Sequence, residues 1–157
     1  MAPKPKVQPF TIENARLIFR NFRGEQSQFN RAGDRNFAVV IDDDRLAAQL
    51  SADGWNVKVR EPREEGDEPF NYLSVKVSFT GRPPTIVRIG GTSKTRVRIT
   101  EDTVEMLDYD SFELVDLTIN PYEYDVSGSQ GISAYLKTMY VTVEEDSLDA
   151  KYAIDEP

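Results

Sequence analysis

The chain has 157 residues, 27 of them acidic against 19 basic, for a formal net charge of -8. It contains neither cysteine nor histidine, which excludes disulfides, thiolate or imidazole metal ligands, and every Ser-His or Cys-His nucleophile. A chain of this length forms one domain and buries roughly 68–70% of the surface it exposes when unfolded.

The N-terminal "MAPKPKVQPF" has two lysines, no apolar run and three prolines. It reads as neither a signal peptide nor a membrane anchor, so a soluble protein with a flexible arm over residues 1–10 is expected. Alternation begins at Glu13: Ala15, Leu17 and Phe19 share one strand face, and Arg16, Ile18, Arg20 and Phe22 the other. The first face is expected to be core, the second a mixed basic and apolar surface. "RGEQSQFNRAGD" is then a long polar loop of the kind that is functional or disordered. "RNFAVVI", ending at Ile41, is a nearly continuous apolar run suited to a central strand.

"DDDRLAAQLSADG" carries the clearest helix signal, with Asp42 or Asp43 as N-cap, Leu46, Ala47 and Leu50 on one face, and Gly54 to end it. "WNVKV" alternates again, and the charged loop "EPREEGDEP" leads to "FNYLSVKVSF". There Leu73, Val75, Val77 and Phe79 face one way, and Tyr72 and Lys76 the other. "PPTIVRI" and "TRVRI" around Gly90 and Gly91 predict a basic hairpin. "TEDTVEMLD" predicts one or two helical turns, and "FELVDLTINPYEYDV" and "GISAYLKTMYVTV" two further strands. Seven or eight strands with one or two short helices point to a mainly β fold, an antiparallel barrel or sandwich.

Charge is unevenly placed. Residues 1–36 hold seven basic and three acidic groups, residues 82–99 five basic and none acidic, and residues 100–157 two basic and fifteen acidic. Such asymmetry suits a polyanion-binding surface opposite an acidic region, though solubility alone also calls for charge.

The densest feature is Leu17 to Phe37, with four phenylalanines and four arginines in twenty-one residues. Arginines hold phosphates and exposed rings stack unpaired bases, so Arg16, Arg20, Phe22, Arg23, Phe29, Arg31 and Arg35 are candidate nucleic-acid contacts. Phe19 and Phe37 have core parity. The alternative is that all four rings are core and arginine stems cover them. A second basic group, Arg88, Lys94, Arg96 and Arg98, could join the same groove or simply protect a sheet edge. Tyr72, Tyr135 and Lys137 are candidate extensions of that groove. Asp42, Asp43 and Asp44 could hold Mg²⁺ in a nuclease, but a helix cap accounts for the same run. No P-loop, dinucleotide fingerprint, metal-ligand cluster or other cofactor motif occurs, and no enzyme is indicated.

The order "NARLIFRNF", "DRNFAVVIDD", "LAAQLSADGWNVK", "EEGDEPFNYLSVKVSF", "LDYDSFELVDLTINPYEY" and "GISAYLKTMYVTVEEDSLDAKY" resembles the single-stranded-DNA-binding proteins of tailed bacteriophages, from about Asn14 to Tyr152. The resemblance implies an OB-like antiparallel β-barrel with added hairpins over residues 11–145. Its groove would bind single-stranded DNA with little sequence preference during phage replication or recombination in the cytoplasm of the bacterial host. It also implies that residues 146–157 form an acidic tail that recruits replication or recombination proteins and competes with DNA. The tail departs from the family pattern by ending in proline rather than an aromatic residue. Two further readings are a DNA mimic acting through the acidic half and a virion structural or assembly protein. Nothing in the sequence sets an oligomeric state.

Overall fold

The computed structural model describes residues 7–28, 30–146, 148 and 151. In chain order the elements are β1 (Phe10–Ile12), β2 (Leu17–Asn21), β3 (Arg35–Ile41), α1 (Asp44–Asp53), β4 (Val57–Arg60), β5 (Phe70–Val77), β6 (Thr85–Gly90) and β7 (Arg96–Ile99). A 3-10 helix (Val104–Asp108), β8 (Phe112–Val126) and β9 (Ser129–Val143) complete the order. The ninth strand, beyond the eight segments that alternation marks, is β1, which begins at the last residue of the segment expected to be an arm. Phe10 meets Trp55 edge to face at 4.9 Å, and Val7 also packs on the core. The rest of that arm, residues 1–6, lies outside the described residues, as does most of the expected acidic tail.

All nine strands belong to one sheet with the path β1-β8-β9-β5-β3-β2; β4 adds to β5, β6 to β9 and β7 to β6. Strands β3 and β5 to β9 contribute buried residues to one cluster and β1, β2 and β4 pack half-buried residues against it, so the sheet curls around a single core. The architecture is the mainly β, OB-like one expected, with two pairings, β5 to β9 and β6 to β9, that run parallel. Alternation reports which face is buried but carries no information about strand direction.

β9 holds the sheet together. It pairs with β8 along nearly its whole length, with β5 near Ala134 and Tyr135, and with β6 from Thr138 onward. The pairing steps from Ile119–Leu136 to Thr118–Thr138, which leaves Lys137 as an extra residue. Buried side chains accordingly shift from Ile132, Ala134 and Leu136 to Met139, Val141 and Val143.

α1 forms as its sequence dictates. The Asp43 carboxylate accepts from the amides of Arg45 and Leu46, Ala47 and Leu50 are buried, and Gly54 ends the helix at φ 106°. Asp44 accepts from the Asn71 side-chain amide. Two of the three aspartates are therefore engaged in holding local structure.

The turn between β6 and β7 is clamped from a distance. The Glu145 carboxylate accepts from the Thr92 and Ser93 amides at 3.0 and 2.8 Å and from the Ser93 hydroxyl. A Cβ on Gly90 would collide with that carboxylate, and one on Gly91 with Glu113 at 2.6 Å. The pKa of Glu145 lies below the ordinary 4.5, first because the Ser93 amide bonds its charged form. Partial desolvation opposes this, while the Ser93 hydroxyl, the Thr92 amide and the Arg88 charge add to it. A carboxylate depressed on folding contributes stability above its unfolded pKa and loses it as pH falls through the folded value. Glu145→Gln should therefore lower the melting temperature near neutral pH, and the gap to wild type should close in acid. A gap that stays constant across a thermal-unfolding pH series would rule out the charged anchor.

Candidate nucleic-acid interface

The site begins with an irregularity in β2. Ile18 pairs with Ala38 and Asn21 with Asn36, so β2 has one residue more than β3 over this interval, and Phe19 takes φ 52°. A bulge inverts the alternation that follows it. Phe19, expected in the core, is 51% exposed. Phe22, expected to stack bases, is fully buried and stacked on Phe37 at 5.3 Å. Arg20, expected to hold phosphate, turns toward the 3-10 helix. Its Nη1 donates to the carbonyls of Leu107 and Asp110 at 2.8 and 2.7 Å, and its guanidinium lies 4.4 Å from the Phe112 ring centre.

A groove opens where β5 changes neighbours. Its first half pairs with β4 and its second with β9. One part of the groove, ≈ 580 Å³, is lined by Phe19, Lys58, Ser74, Lys76, Tyr124 and Ser133, among others. A second part, ≈ 460 Å³, is lined by Arg31, Arg35, Phe79 and Tyr135. Both parts share Asn30, Asn36 and Lys76, so they form one continuous track. Across it, Asn36 on β3 stands opposite Lys76 on β5, which stands opposite Tyr135 on β9.

The groove is positive despite the acidic chain. Its lining cations are Lys58, Lys76, Arg31 and Arg35; its lining acids are Asp34 and Glu101, and each of these faces an arginine. Arg31 Nε lies 3.4 Å from Asp34 and Arg35 Nη1 3.5 Å from Glu101. In both pairs the contact is loose and the carboxylate is exposed, so a phosphate can take its place. Arg35 Nε is buried without a partner, and its guanidinium lies 5.7 Å from the Phe79 ring centre. Lys76 Nζ sits 5.7 Å from the Tyr135 ring, which meets Tyr122 edge to face. Beside the groove Phe19 contacts Tyr72 and Tyr72 contacts Phe70, with Arg60 over Phe19 and Arg16 over Phe70.

Several expected residues are not gathered here. Arg23 bonds Glu25 and Tyr109, and the Glu25 hydrogen bond and charge raise its pKa further. Arg88 forms a bidentate pair with Asp110 at 2.8 and 3.0 Å. It stands opposite Val97, so it takes the opposite face from Arg96 and Arg98. Those two are exposed on β7, separated from β9 by β6 and outside the groove lining. Lys94 lies in the turn and its Nζ donates to the Gly91 carbonyl. Lys137 is exposed at the β9 bulge, also outside the lining. Phe29 lies outside the described residues.

Sequence reasoning passed over Phe19, Lys58, Asn36, Asn56, Tyr122 and Tyr124, and noted Lys76 only as facing outward. Alternation in "WNVKV" and "NPYEYDV" does carry a signal for Lys58, Tyr122 and Tyr124. Phe19 could not be found that way, because the bulge that exposes it has no glycine to announce it.

The chain matches, over residues 3–156, a family model described as "Putative phage ssDNA-binding domain". No curated protein sequence matches it. Among solved structures it is similar to the single-stranded DNA-binding protein from bacteriophage Enc34 in complex with ssDNA, at 12% identity and TM-score 0.58, covering 92% of this chain and 96% of that one. The same protein without the stated ligand gives 11% identity and TM-score 0.55 over 92% and 90% of the two chains. Its C-terminal truncation gives 11% and 0.52 over 92% and 96%. At these identities the structural likeness establishes a shared fold, while the family match spans nearly the whole sequence. The chain belongs to the phage ssDNA-binding domain family.

Proposed function

We propose that this protein binds single-stranded DNA in the groove over β3, β5 and β9, without catalysing a reaction on it. The observation that carries this reading is the continuous track in which Lys58, Lys76, Arg31 and Arg35 stand beside the exposed rings of Phe19 and Tyr124 and the half-buried ring of Tyr135. Cations there follow the phosphates, and Phe19, Tyr124 and Tyr135 offer faces to bases. Neither interaction depends strongly on base identity, so sequence preference is small. Membership of the family and the complex formed by the Enc34 relative support the same reading. On this reading the protein acts in phage replication or recombination, in the cytoplasm of the infected host. Contacts to other replication proteins through the acidic tail concern residues largely outside those described.

The DNA-mimic reading has less to stand on. Asp108 and Asp110 in the acidic half bind the Phe22 and Arg23 amides and the Arg88 guanidinium, so these carboxylates serve the fold rather than a mimicking surface.

Fluorescence anisotropy of labelled oligo-dT across a salt series tests the proposal, with a duplex of equal length beside it. Four groove cations give a log–log slope near -2.8 at about 0.7 per phosphate contact, and Lys76→Ala should reduce its magnitude by about 0.7. Absence of binding at low salt would sink the proposal. The aromatic roles separate in a second comparison. Phe19→Ala should cost about 1–3 kcal/mol of affinity with the denaturation midpoint little changed. Phe22→Ala should cost about 3–5 kcal/mol of stability, read by denaturant unfolding.

A further inference from the structure

A chain of amides at the head of β3 gives the groove a fixed hydrogen-bond polarity. Asn30 Nδ2 donates to the carbonyls of Glu25, Arg31 and Asp34 at 2.9, 3.0 and 2.9 Å. Three acceptors around one end of the amide identify that end as nitrogen, so Asn30 Oδ1 is an acceptor. Asn36 Nδ2 donates to it at 2.8 Å and reaches the Asp34 carbonyl at 3.5 Å. The nitrogen of Asn36 is thereby turned toward the loop. No described residue donates to its Oδ1, and that atom is not fully buried in this half-buried residue.

Asn36 lines both parts of the groove and stands in one row with Lys76 and Tyr135. Adjacent strands are about 4.8 Å apart, so the row spans about 10 Å from the backbone of β3 to that of β9. A nucleotide of about that length can set its phosphate at the Lys76 ammonium, which lies over the Tyr135 ring, and its base edge at the Asn36 amide.

Building on the single-strand-binding reading, we propose that Asn36 biases the groove toward cytosine and adenine, which carry an amine at C4 or C6, over thymine, which carries a carbonyl at that position. Cytosine presents its N4 amine and adenine its N6 amine as donors, where thymine presents the O4 acceptor. An oxygen fixed as acceptor bonds an amine at that position and sets lone pair against lone pair at O4, and the donor an unpaired thymine does have, its ring N3–H, meets that oxygen only if the base shifts along its edge. Rotating the amide to donate instead would break the bond to Asn30. One net hydrogen bond corresponds to about three- to tenfold in affinity, a bias laid over sequence-tolerant stacking and phosphate contacts.

The test is a cycle of four affinities, oligo-dC and oligo-dT of equal length on wild type and on Asn36→Ala. Differences in stacking between the two oligonucleotides cancel in the cycle. The dC-to-dT affinity ratio should be about three- to tenfold higher in wild type than in the variant. Equal ratios in both proteins overturn the base bias and leave single-strand binding intact, whereas wild type binding neither oligonucleotide would remove the underlying reading as well. If Asn36→Ala does not fold, wild type is compared on oligo-dA and on an oligomer of purine deoxyriboside, which lacks only the N6 amine. A loss of about threefold or more without the amine supports the inference, and a smaller loss or none overturns it.

Discussion

A strand alternates with period two, so one added residue reverses every side chain beyond it. Two such additions organise this protein. The extra residue at Lys137 lets a single fifteen-residue strand serve two neighbours, β5 and β6, while keeping buried side chains toward one core on both sides of the step. The bulge at Phe19 turns one ring out beside the groove and another, Phe22, into the core. Without the first, half of β9 would present polar residues to the interior. Without the second, the groove would lose the ring at its rim.

The polar loop between β2 and β3 is organised by its own amides. Asn21 bonds Glu25 in both directions, Gly33 donates to the Gly24 carbonyl at 2.8 Å, and Asn30 gathers three carbonyls. Gly24 can accept this closeness because a Cβ there would meet the Gly33 backbone at 3.0 Å. Asn30, Arg31 and Arg35 are thereby set against the face of β5. Backbone groups satisfied within a loop hold it in place where no apolar contact could.

Electrostatics follows the same division of labour. Asp43 caps a helix, Asp108 holds the amides that follow β2, Asp110 pairs with Arg88, and Glu145 clamps a turn. Carboxylates engaged in this way are fixed at places other than the groove, whose own two acids face arginines. A phosphate responds to the local field rather than to the total of -8.

Local chemistry in the sequence was enough to determine much of this. Asp43, Leu50 and Gly54 spell out α1, and the unbroken run Phe37–Ile41 marks a strand covered on both faces. The parity of Tyr72 and Lys76 places them outward on β5, and the absence of histidine removes imidazole chemistry. These depend on short-range periodicity and composition, which a sequence displays directly. Which arginines remain available was decided only by the tertiary structure. Arg20 and Arg88 looked as free as Arg31 and Arg35, but Leu107 and Asp110, distant in the chain, claim them. The parallel neighbours of β9, the bulge at Phe19 and the meeting of Asn36, Lys76 and Tyr135 likewise depend on pairings between segments far apart in sequence. Register between distant strands is set by packing of the whole core, and alternation within one strand cannot encode it.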